Sequence, residues 1–141
     1  MKKNNNKGFT LIELLAALTI LGIMMIVAIP NVQKFIDRSK EDNLDANAKM
    51  LYMAAKSYYQ TNPQELPKVD HGTVTITSAV LKQRNFLKDS LKNGNKHSCT
   101  NVSDQSKDSR VTVEKTGKSK YSYHVEIICN AAGNVDKDAT Y

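Results

Sequence analysis

The sequence predicts an α+β protein, a long N-terminal α-helix with a membrane-spanning first half, packed on a small antiparallel β-sheet head. Three observations predict it. Residues Leu14 to Ile29 carry no charge. Further along, Leu44, Ala48, Leu51, Ala55 and Tyr58 recur at alternating spacings of four and three, the apolar stripe of an amphipathic helix. Near the C-terminus, Arg110–Lys115 and Tyr121–Cys129 alternate across a Thr116–Ser119 turn, the pattern of a hairpin. Four segments follow: residues 1–8, a basic leader; 9–30, the apolar half of the helix; 31–60, its amphipathic half; and 61–141, a small globular α+β head.

Residues 9–29 as a helix would rise about 31 Å, enough for a bilayer core. From about Thr10 to about Gln60 the helix would reach about 75 Å. Between the two apolar parts, Asp37, Arg38, Lys40, Glu41, Asp42 and Asp45 form a polar stretch. Like-charged pairs there oppose a helix and opposite pairs favour it, each by only about 0.2–0.5 kcal/mol. Burial of the apolar stripe therefore decides. Pro30 lies inside this helix, lacks the N–H for the carbonyl of Ile26, and should kink or loosen it. Asn62 to Pro67 ends the helix in a turn. Thr73–Ile76 reads as a strand. Thr77 or Ser78 caps a short helix, Ala79–Leu87, that buries Val80, Leu81 and Leu87. Lys92–Ser109 is polar and loop-like. In the last strand Tyr121, Tyr123, Val125, Ile127 and Cys129 share a face.

The totals limit function. The aromatic share is 6% with no Trp, so any core is small. Net charge is +6, of which Lys2, Lys3 and Lys7 supply +3. The remaining lysines are scattered, which describes a solvated surface better than a nucleic-acid footprint. The leader lysines keep the N-terminus cytoplasmic and place the head outside.

A secretory signal peptide would explain the lysines, but Ala28-Ile29-Pro30 matches a cleavage site poorly. A plain anchor would explain the apolar run. Neither explains Glu13 at its mouth. Gly8-Phe9-Thr10-Leu11-Ile12-Glu13, after a basic leader and before a charge-free run, resembles the class III signal of type IV pilins and pseudopilins. The resemblance covers residues 2–35 and implies cleavage by a prepilin peptidase between Gly8 and Phe9, with N-methylation of the Phe9 amine. It implies that Glu13 faces the amine of a neighbouring subunit and sets the assembly register, and that the helix can melt near Pro30. A carboxylate merely hydrated near the headgroups is the alternative for Glu13. The implied life history starts in the cytoplasmic membrane, single-pass, and continues in a surface pilus or pseudopilus. Implied partners are other pilin subunits, the prepilin peptidase, membrane lipid, and a membrane platform with its ATPase.

Cys99 and Cys129 lie beyond the apolar run, where disulfides persist. A bridge would tie the polar loop to the last strand. The rival is zinc held by His97, Cys99, His124 and Cys129, although His124 and Cys129 fall on opposite faces of one strand. No nucleophile elbow, P-loop, H-E-x-x-H or Cys-x-x-Cys is present, and His71, His97 and His124 are dispersed. The expectation is a structural subunit rather than an enzyme, with no cofactor and no resident metal. The second expectation is a minor pilin whose head binds DNA, a surface or a secreted substrate. Lys115, Lys118 and Lys120, near Tyr121 and Tyr123, are the candidate DNA contacts. A secreted enzyme on a cleavable signal is a third. Competence, adhesion or motility, and secretion systems all fit such an N-terminus.

Overall fold

A computed structural model describes residues 9–93, 97–101, 103–130 and 132–141. It is an α+β fold, a long helix with a four-stranded antiparallel sheet. Helix α1 spans Leu11–Thr61 and runs through Pro30 as one helical element. Strand β1 (Thr73–Thr77) leads into helix α2 (Ser78–Gln83). The short β2 (Lys92–Asn93) and β3 (His97–Ser98) pair with each other. They precede β4 (Arg110–Gly117), β5 (Lys120–Ile127) and β6 (Lys137–Thr140), and the main sheet runs in the order β1-β4-β5-β6. The chain divides into two compact units after Arg38.

In the first unit every described side chain from Phe9 to Arg38 is exposed. Phe9 reaches 84%, and Ile26 and Phe35 each reach 74%. Leucine, isoleucine and methionine open on all sides of a helix demand cover from lipid or protein. Among the described residues no helix is long and apolar enough to cross a membrane. The charge-free run is described without interruption from Leu14 to Ile26; the Val27 side chain lies outside the described residues.

In the second unit the amphipathic half of α1 meets the sheet. Ala48, Leu51, Ala55 and Tyr58 are buried as the stripe requires, and Leu44 is half-buried. Against them lie Ile76, Val111, Val113, Val125 and Ile127 from the inner face of the sheet. Tyr52 sits edge-on to Tyr123, with centroids 5.3 Å apart, and stacks on Tyr141 at 4.6 Å. Lys137 of β6 reaches Asp45 of α1 at 2.6 Å.

The hairpin forms where alternation places it, with β4 longer by two residues at its end and a bulge between Lys115 and Gly117. Helix α2 stops at Gln83, short of Leu87. Asn85 takes φ 62° and turns the chain, so the Phe86 N–H reaches back to the Leu81 carbonyl at 2.9 Å. This is a left-handed C-cap. Leu81 and Leu87 are buried; Val80 is only half-buried. Strand β6 and the β2–β3 pair arise in stretches that alternation does not mark.

The polar loop before β4 holds the head's main buried polar cluster. Asp108 is fully buried. Its carboxylate accepts from Ser78 Oγ at 2.6 Å, the Ala79 N–H at 2.8 Å and the Asn101 N–H at 2.9 Å. It thus fastens the start of α2 to the loop. Asp108→Ala leaves these donors buried without partners and should cost about 3 kcal/mol. Thermal unfolding of the full chain in detergent measures the loss.

Burial of Tyr59 pushes its phenol up to about 12. The unfolded phenol releases its proton near pH ~10. Below that both states keep the proton. Between about pH 10 and 12 the unfolded state alone loses it, so stability falls as pH rises. Tyr59→Phe should flatten this decline in pH-dependent unfolding.

Candidate assembly site

The N-terminal start of α1 is organised by residues three apart. Thr10 precedes the first helical residue, and its carbonyl accepts from the Leu14 N–H at 3.2 Å. The Thr10 N–H and Thr10 Oγ1 each donate to Glu13 Oε2 at 2.8 Å, and the Glu13 N–H points back to Thr10 Oγ1 at 3.4 Å. This is a reciprocal capping box, and it satisfies N–H groups that no preceding turn can reach. Its signal, Thr-x-x-Glu before an apolar run, stands in the sequence, but the sequence expectations for Glu13 were an intersubunit pairing or a carboxylate hydrated near the headgroups, not a cap. Thr10 is the residue they missed.

One carboxylate oxygen is therefore engaged within the chain. The other, Oε1, carries no hydrogen bond among the described residues. A carboxylate has lone pairs to spare after such a cap. Glu13 can hold its own helix start and still accept a cation from outside. Phe9 lies just before the helix with its ring exposed. Gly8 and the leader lysines lie outside the described residues.

The other candidate residues lie in the head. Cys99 and Cys129 are joined, with S–S 2.02 Å, and both are buried. His124 faces away from them, with Nε2 3.3 Å from Asp138 Oδ1 and Nδ1 3.3 Å from Thr140 Oγ1. Among the described residues no group of histidine, cysteine and acidic side chains could hold a metal ion. His71 pairs instead with Glu114 at 3.0 Å.

The three lysines near the hairpin turn are not alike. Lys118 and Lys120 are exposed. Lys115 is drawn inward: its ammonium donates to the Lys68 carbonyl at 2.7 Å and lies 3.3 Å from Asp70. It holds the preceding loop against β4 rather than offering its charge to solvent.

A family model described as the prokaryotic N-terminal methylation motif matches residues 3–29. In this N-terminal part the chain is similar to type IV pilins. It is 50% identical over 54 residues to the type IV major pilin protein PilA of Myxococcus xanthus, 38% of this chain and 24% of that protein. It is 28% identical over 88 residues to the ComG operon protein 3 homolog of Bacillus licheniformis, 62% of this chain and 81% of that one. Over 42 residues it is 43% identical to the type IV narrow pilus major component PilA5 of Thermus thermophilus, covering 30% and 36%. The chain thus spans about a quarter of the Myxococcus pilin it matches. No solved structure matches it.

Proposed function

We propose that this chain is a prepilin. A prepilin peptidase cuts it between Gly8 and Phe9 and methylates the new Phe9 amine. Before assembly, the run Leu14–Ile29 holds it in the cytoplasmic membrane, with the leader lysines inside and the head outside. The membrane platform and its ATPase then draw it into a type IV pilus or pseudopilus, where α1 helices of neighbouring copies replace lipid. The free Oε1 of Glu13 accepts the Phe9 ammonium of the adjoining copy, while Oε2 keeps its cap on Thr10. Removing water strengthens that pairing and leaves a displaced register with an unmatched charge. Pro30 supplies the point at which the helix can yield during packing.

The observation that carries this reading is the N-terminal motif, Gly8-Phe9 with Glu13 four residues on, within the matched residues 3–29. Intact-mass and N-terminal analysis of the surface-exposed protein tests it. The expected species begins at Phe9 and is one methyl group heavier than the bare peptide. A mature chain that begins elsewhere overturns the proposal.

A second reading has one observation in its favour. The match to a ComG operon protein runs along most of that relative, which favours a competence pilus and DNA uptake over adhesion or secretion. A DNA-binding head would use Lys118 and Lys120, with Lys115 shaping the loop beside them. Retention of DNA that does not weaken with added salt would count against phosphate contact there.

A further inference from the structure

Strand β1 forms one edge of the main sheet. Its ladder fixes which backbone groups remain open. The Lys115 N–H donates to the Gly72 carbonyl, and the Ser78 N–H donates to the Ser109 carbonyl. With Val74 opposite Val113 and Ile76 opposite Val111, the even-numbered residues of β1 turn their N–H and C=O groups toward β4. The N–H and C=O groups of Thr73 and Thr75 therefore point away from the sheet, and no turn or loop backbone takes them up among the described residues.

Sheet edges are normally blunted by charge, proline, a bulge or brevity. The opposite edge is: β6 has four residues, with Lys137 and Asp138 among them. Strand β1 has none of these devices. It reads Thr-Val-Thr-Ile-Thr, pairs with β4 in unbroken register, and exposes Thr73 and Thr75. Thr75 Oγ1 lies 3.0 Å from Thr112 Oγ1 on the outer face.

The strand also reads almost alike in both directions. Antiparallel pairing of two copies about Thr75 sets Thr75 opposite Thr75, Val74 opposite Ile76 and Thr73 opposite Thr77. Thr73 and Thr75, whose backbone groups face outward, fall on hydrogen-bonded positions. Val74 and Ile76 meet on the inner face, and no charges meet at all. This is the self-complementarity that a two-fold contact requires.

We propose that β1 is a sheet-extension site for the β1 of a second copy, joining two heads through one continuous antiparallel sheet. The placement of that copy rests on the pilin reading. A polar filament repeats head to tail, and its own subunits are not related by two-folds. The second copy therefore belongs to a neighbouring filament, and the contact binds filaments side by side.

Electron microscopy of filaments of the full processed chain tests this, scoring the fraction that lie in bundles. Thr75→Pro removes an outward N–H without costing a bond to β4. Thr75→Lys sets like charges face to face at the two-fold. Each should lower the bundled fraction at least about tenfold with single filaments unchanged. Thr112→Lys, on the same face of an inner strand, should bundle as the natural chain does. Thr75→Cys carries the one free thiol, since Cys99 and Cys129 are bonded. A short bis-maleimide should join it into a covalent dimer, both in filaments and in the detergent-solubilised full chain. Bundling by Thr75→Pro at the natural level, or no Thr75→Cys dimer in either preparation, overturns the proposal. A failure to form filaments while the dimer still forms counts against the pilin reading alone.

Discussion

Glu13→Leu is expected to leave a subunit that is still cut after Gly8 but hardly polymerises. The leucine suits the apolar surroundings and would help a plain membrane anchor. In a filament it strands the Phe9 ammonium of the adjoining copy among side chains such as Leu11, Ile12 and Leu14, all exposed on the isolated helix. Removing one partner of a desolvated charge pair while the other stays buried should lower filament yield about a hundredfold. Glu13→Gln keeps an acceptor for the Thr10 N–H but not the charge, and so separates capping from assembly. If the cap alone mattered, Glu13→Gln would assemble normally. Sheared-filament yield set against total processed subunit measures the effect. Filaments from Glu13→Leu in natural amounts would end the register role of this residue.

Cys99→Ser combined with Cys129→Ser should give the largest loss of stability in the head. The bridge spans a sequence separation of 30. In the chain-entropy account, closing a loop of this size contributes about 3–4 kcal/mol. For a domain of this size the loss lowers Tm by about 15–25 °C. The loop it anchors also carries Asp108 and Ser109. Ser109 Oγ donates to the Cys99 carbonyl at 2.6 Å and accepts from the Ile128 N–H at 2.9 Å. Without the bridge, that polar seam and the adjoining β4–β5 pairing must hold the loop to the end of β5. Melting curves with and without reductant check the prediction. An unchanged Tm would place the stability of the head in its apolar core.

How legible the molecule was differs from element to element. The apolar stripe Ala48, Leu51, Ala55 and Tyr58 and the hairpin around Lys118 were readable because their periods are local properties of the chain. The end of α2 was readable in principle, since asparagine tolerates the left-handed conformation at Asn85. Asp108 was not readable. Within a run of serine, lysine and aspartate it looks like any solvated acid. Its burial depends on Ser78 and Ala79, which lie far away in the sequence. Lys115 is a similar case. Its charge suggested an open contact, and only the loop folded against β4 supplied Asp70 and the Lys68 carbonyl.

The sequence alone determined the N-terminal motif, the helical stripe and the alternating strands. These need only neighbours within a few residues, and their chemistry repeats at a fixed spacing. Tertiary structure alone decided which acid is buried, which lysine is spent, and which sheet edge stays open. Each of those depends on groups brought together across long stretches of chain, and a hydrogen bond or an ion pair has no period to read in advance.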